Sequence, residues 1–163
     1  FGDEDDRILR PVARDEGMFG PFPADTVFLR TCGRMETRRF TVVYADDDEL
    51  IRAAVVDLLT SANIDVHACT DGDEALALCV QMEPDAVLLD LNMPELNGLQ
   101  VARQLRAREA SKSLRLVAMT GRGSWELRKK AFDAGFNEFL TKPATRELIL
   151  DALRAPRPVL RTG

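Results

Sequence analysis

From Phe40 onward the sequence alternates short apolar runs with helix-spaced apolar stripes, five times over. No other feature constrains the fold as strongly, because repeated βα units of this kind build a parallel sheet covered by helices. The runs are Thr41-Val-Val-Tyr-Ala45, Ile64-Asp-Val-His67, Ala86-Val-Leu-Leu89, Leu114-Arg-Leu-Val-Ala118 and Asn137-Glu-Phe-Leu140. The third is apolar throughout, as expected of a central strand buried on both faces. After the first run, Ile51, Ala54, Val55, Leu58 and Leu59 follow the i, i+3, i+4, i+7, i+8 stripe of a core-facing helix. Weaker stripes follow at Ala75, Leu76 and Cys79, at Val101, Ala102 and Leu105, at Leu127, Ala131 and Ala134, and at Leu148, Ile149, Ala152 and Leu153. Asp71-Gly72, Pro84-Asp85, Asn97-Gly98, Gly121 and Gly135 stand where turns are needed.

The folded unit is therefore expected at residues 39–155. Residues 1–38 hold three prolines and four glycines without a sustained period, and read as a poorly ordered leader or the remnant of an upstream segment. Pro156 and Pro158 close the last helix and leave 156–163 as a short tail. Since the chain stops at Gly163, output is expected from the domain's own surface or from something upstream.

Hydrophobic residues at 45% and charged residues at 30% are ordinary for a soluble globular chain. No apolar run approaches the ~20 residues of a membrane span, so no membrane partner and a cytoplasmic location are expected. The net charge of -5 argues against a surface that wraps nucleic-acid phosphates, and no direct nucleic-acid contact is expected. Cys32, Cys69 and Cys79 are odd in number and lack CxxC spacing, which suggests free thiols.

Parallel strands deliver the residues that follow them to one edge of the sheet, where ligands of such folds bind. Here Asp46-Asp47-Asp48 follows the first strand, Asp90 the third, Thr120 the fourth and Lys142-Pro143 the fifth. Crowded carboxylates repel one another unless a cation offsets their charge. Mg²⁺, which takes one or two carboxylates together with waters and phosphate oxygens, is the natural candidate. A carboxylate beside such a cation can attack phosphorus to give an acyl phosphate. Asp48, by contrast, reads as a helix cap.

Val42-Val-Tyr-Ala-Asp-Asp-Asp48, Leu88-Leu-Asp-Leu-Asn-Met-Pro94 with Asn97-Gly98, Ala118-Met-Thr-Gly121 and Phe139-Leu-Thr-Lys-Pro143 together resemble the receiver domains of two-component response regulators. The resemblance implies a (βα)5 doubly wound parallel sheet of flavodoxin-like order 2-1-3-4-5, which periodicity does not supply. It implies Asp90 as phosphoacceptor, Asp47 as a direct Mg²⁺ ligand, Asp46 as a water-mediated one, and Asn92 as a ligand through its backbone carbonyl. Lys142 would pair with the phosphoryl group, and its bond to Pro143 would be cis. Thr120 resembles the switch hydroxyl. Phe139 stands at the aromatic switch position, without the phenol that a tyrosine would bring. Asn92 and Arg122 fall where the family tunes dephosphorylation.

The implied donor is a histidine kinase or a histidine phosphotransfer protein, with a downstream protein partner not readable from the sequence. Such a domain is not an enzyme beyond its own phosphorylation and dephosphorylation. It would be a stand-alone receiver or the C-terminal receiver of a hybrid kinase. A phosphohydrolase would want an acid two residues after the nucleophile, where Asn92 stands, and a constitutive interaction module would not need the full polar set. His67 reads as a surface or satisfied core residue. Arg122, Arg128, Lys129 and Lys130 make the fourth helix mildly basic, which reads first as an exposed charged face and second as a contact for an acidic partner; Trp125 at its start marks that same surface or covers its core.

Overall fold

A computed structural model describes residues 38–156. Residues 1–37, which hold Cys32 and nearly all of the leader, and residues 157–163 of the tail lie outside the described residues. Five strands, β1 (Thr41–Ala45), β2 (Asp65–Cys69), β3 (Ala86–Asp90), β4 (Arg115–Thr120) and β5 (Glu138–Thr141), form one parallel sheet in the order β2-β1-β3-β4-β5. Helices α1 (Glu49–Ser61), α2 (Gly72–Met82), α3 (Gly98–Ala107), α4 (Trp125–Ala134) and α5 (Arg146–Arg154) follow the strands in turn, with a 3-10 turn at Glu109–Ser111. The expected flavodoxin-like architecture is thus present, each strand within two residues of its expected bounds.

The alternation of side chains along the strands divides the core in two. Val43, Ala45, Val87, Leu89, Leu116 and Ala118 face α2, α3 and α4, through residues such as Ala75, Cys79, Val101, Leu105, Ala131 and Ala134. Val42, Tyr44, Leu88, Val117 and Met119 face α1 and α5, through Val55, Leu59, Ile149, Ala152 and Leu153. All five residues of β3 are buried, as its unbroken apolar run requires. Cys69 and Cys79 are buried free thiols, and burial pushes both up to about 12.

Two stripe positions depart from expectation. Ala54 is exposed, and Leu148 is 53% exposed one step before the buried Ile149. In each helix the adjacent β-branched residue, Val55 or Ile149, takes the core position, and a turn of about 100° per residue carries these two outward.

Helix starts are fixed by side-chain caps: Asp48 accepts from the Leu50 and Ile51 amides, and Asn97 forms a reciprocal capping box with Gln100. At the far end of the molecule Arg106 ties several elements together. Its guanidinium donates to the carbonyls of Gly135, Ser111, Lys112 and Leu114 and to the side-chain amide oxygen of Asn137. Gly135 ends α4 at φ 105, where a Cβ would also meet Arg106 Cγ at 2.5 Å, so glycine serves both the turn and the contact.

Candidate functional site

The parallel sheet brings the ends of β1, β3, β4 and β5 to one edge, and the expected polar set converges there. Asp46, Asp47 and Asp90 each offer a carboxylate oxygen, and these oxygens lie within 4.8 Å of one another. Lys142 Nζ stands 2.7 Å from Asp46 Oδ2 and 3.0 Å from Asp90 Oδ2. Burial by itself pulls the lysine's pKa down. Its hydrogen bonds to Asp46 and Asp90, with the charge of both carboxylates, outweigh that and hold it above the usual lysine range.

Asp46 is wholly buried and Asp90 nearly so, whereas Asp47 is exposed and has no hydrogen bond or ion pair among the described residues. Asp90 Oδ1 accepts the Asn92 amide at 3.0 Å, a bond that fixes the carboxylate over the loop after β3. That loop is closed by Gly98, where a Cβ would lie 2.4 Å from the Asp90 carbonyl oxygen; only glycine lets α3 start so near the strand end.

Thr120 is buried, and its hydroxyl oxygen accepts from Asn92 Nδ2 at 3.1 Å and from the Arg122 amide at 3.3 Å. With both acceptor positions occupied, the Thr120 proton is left to donate. The Thr120 carbonyl accepts the Lys142 amide at 2.8 Å, and the Lys142-Pro143 bond is cis, as the resemblance implied. Phe139 is buried in the core beneath α4, with the Arg128 guanidinium 5.7 Å from its ring centre, and no hydrogen bond joins its ring to the carboxylates.

Two neighbours of the site were not anticipated. Tyr44 donates its phenol to Asp46 Oδ2 at 2.8 Å, and Arg52 donates to the Asp46 carbonyl at 2.9 Å. Strand periodicity holds the signal for the first, because residues i and i+2 share a face. The first turn of α1 holds the signal for the second, since long helical side chains reach back toward the N-terminus. Burial, then the hydrogen bond and charge of Asp46, push the Tyr44 phenol far above its ordinary value, so it remains a donor. His67 is half-buried on the edge strand with Nε2 3.6 Å from Asp65, away from this cluster, and that nitrogen lacks a hydrogen bond among the described residues.

The donor set suits a hard divalent cation. Three carboxylates meet a single ammonium, one carboxylate is exposed and unpartnered, and oxygen is the only ligand type. Among the described residues no helix is long and apolar enough to cross a membrane. A cleft of about 410 Å³ lies at the opposite end of the sheet, beside Arg38, Asp85, Arg108 and Leu114, and shares none of these site residues.

Comparison with known proteins agrees with this fold. The family model described as response regulator receiver domain matches residues 42–154. Response regulator MprA of Mycobacterium sp. (strain KMS) is 38% identical over 114 residues, which are 70% of this chain and 49% of the relative. The DNA-binding dual master transcriptional regulator RpaA of Synechocystis sp. is 34% identical over 114 residues, 70% of this chain and 47% of the relative. The chain thus spans about half the length of these curated relatives. Among solved structures, chemotaxis protein CheY4 of Vibrio cholerae matches with a TM-score of 0.68 at 28% identity, covering 71% of this chain and 97% of that one. The receiver domain of a sensor histidine kinase from Pseudomonas aeruginosa, solved with a magnesium ion coordinated in its active site cleft, matches with a TM-score of 0.67 at 25% identity, covering 71% and 95%.

One expectation falls on this comparison. The absence of direct nucleic-acid contact was inferred from the net charge of -5, yet the Synechocystis relative is named a DNA-binding regulator. The physical reason is that net charge averages over the residues counted. It says nothing about the other half of such relatives, and so it does not exclude nucleic acid as a partner of proteins built on this domain.

Proposed function

Because the chain belongs to the response regulator receiver domain family, we propose that it is a phosphorylation-controlled signalling module whose Asp90 accepts a phosphoryl group. The observation that carries this reading is the Lys142 ammonium, shared between Asp46 and Asp90 at the strand ends. The donor is a phosphohistidine of a histidine kinase or a histidine phosphotransfer protein. An Asp90 carboxylate oxygen forms the new bond to phosphorus while the bond from phosphorus to the imidazole nitrogen breaks, its electron pair returning to the ring.

Asp46, Asp47, Asp90 and the backbone carbonyl of Asn92 would hold Mg²⁺, which when bound offsets charge on the phosphoryl oxygens. Lys142 supplies a second positive charge from the β5 side. The Thr120 hydroxyl, already accepting two N–H groups, has its proton available for a phosphoryl oxygen. The Asn92 amide keeps Asp90 oriented before transfer.

Movement of Thr120 and of the loop after it biases a two-state equilibrium that includes α4 and β5. Trp125 and Phe132, both exposed on α4, give that surface apolar anchors for a downstream protein partner. Phe139 takes part as a buried aromatic and without a phenolic hydrogen bond.

Incubation with acetyl phosphate and Mg²⁺, followed by intact-mass spectrometry, tests the reading. A gain of about 80 Da that disappears with EDTA and in Asp90→Ala is the expected result. No adduct, together with no beryllofluoride binding, would instead indicate a constitutive interaction module.

A further inference from the structure

Tyr44 is the one phenol in the chain, and its side chain is wholly enclosed by the α1 and α5 side of the core. Its neighbours there include Val55, Leu59, Leu88 and Met119, none of which offers a side-chain oxygen. A buried phenol needs a partner. The partner is Asp46 Oδ2, at 2.8 Å, the same oxygen that Lys142 holds at 2.7 Å. The other oxygen of Asp46 accepts the Asp48 amide at 3.0 Å.

A carboxylate oxygen has about two acceptor positions. Oδ2 therefore has both occupied, one by a fixed donor in the core and one by a lysine on the neighbouring β5 loop. The lysine is the donor that a phosphoryl group on Asp90 would attract, since it already bonds Asp90 Oδ2 at 3.0 Å. We propose that Tyr44 is a positioning residue that keeps Asp46 Oδ2 hydrogen-bonded when Lys142 leaves it for the phosphoryl group. The proposal rests on the reading of Asp90 as phosphoacceptor.

The consequence follows from burial. Asp46 is 0% exposed with Lys142 in place, so in this state Oδ2 depends on its side-chain donors and not on bulk water. With Tyr44 in place the oxygen retains a donor after the lysine departs. With phenylalanine there, Lys142 is its only donor, and departure strands a charged acceptor. Oδ1 keeps its own donor and spare capacity in both cases, so binding of the cation by itself is little altered.

The test is isothermal titration calorimetry on the full chain. Mg²⁺ is titrated first, and then beryllofluoride, a phosphoryl mimic, is titrated into the Mg²⁺-loaded protein. For Tyr44→Phe the expected result is beryllofluoride binding weakened by about tenfold to a hundredfold, with the Mg²⁺ dissociation constant changed by less than about threefold. A merely structural role would not separate the two affinities. Equal weakening of both overturns the proposal, as does a variant that binds beryllofluoride as tightly as the wild type. Failure of the wild type itself to bind beryllofluoride would overturn the Asp90 reading first, and the role of Tyr44 with it.

Discussion

At the amino-terminal end of the sheet, Asp85 accepts the Thr41 amide at 2.8 Å and faces Arg38 at 3.9 Å. Arg115 there donates to the Ala152 carbonyl and faces Glu138 at 4.0 Å, while Arg106 donates to five oxygens. At the carboxyl-terminal end, Asp46 and Asp90 share one ammonium, and a third carboxylate, Asp47, has no partner among the described residues. The same kinds of side chain serve opposite purposes at the two ends. Matched polar groups lock elements together, whereas a surplus of one charge leaves room for a cation and a transferred anion.

Arg106→Ala tests the locked end most severely. Loss of the guanidinium leaves several partly buried carbonyls without a donor, and a fall of about 3 kcal/mol in unfolding free energy is expected in urea titrations. The acetyl phosphate adduct should survive, because no Arg106 contact reaches Asp90. A variant that kept its stability would show that the amino-terminal end is not held by this residue.

Asp47→Asn tests the surplus. In the wild type, Mg²⁺ at a hundred times its dissociation constant should raise stability by about 2.7 kcal/mol. In the variant that gain should fall below about 1 kcal/mol, with stability in EDTA unchanged within about 0.5 kcal/mol. Urea titrations with and without the metal measure both. An undiminished Mg²⁺ effect would remove Asp47 from the ligand set.

Leu50→Ser is the smallest expected change and separates exposure from chemistry at the same edge. Leu50 is 83% exposed on the first turn of α1, so its loss should shift stability by less than about 0.5 kcal/mol and leave the adduct intact. A large loss of adduct without loss of stability would place Leu50 within the functional surface.

β1, β3 and β4 were readable because each is a short, mainly apolar run bounded by turn residues, and β3, lying between two covered faces, shows no polar alternation before Asp90. Their order was not readable in this way. Nothing in the periodicity of β2 says that it pairs with β1 on one side only, and the order 2-1-3-4-5 came from the family resemblance. The carboxylates and Lys142 were legible because a parallel sheet sends all its strand ends to one edge. Ala54 was misread because a small side chain gives little weight to either face. Tyr44 was read as one more apolar strand residue, since its sequence neighbours do not reveal where a buried hydroxyl ends. Arg106 left no sequence signal, because four of its five acceptors are backbone carbonyls that any residue type provides.

The bond from Arg106 to the Gly135 carbonyl has a mechanical meaning for α4. It makes a fulcrum of the helix's last turn, while the first turn follows the short Gly121-Arg122-Gly123 stretch. Ten residues of helix form an arm of about 15 Å. A pivot of about 10° swings the free tip by roughly 2.6 Å on that arm. The tip is Trp125, so the longest sweep of the lever falls on an indole ring that is already 68% exposed.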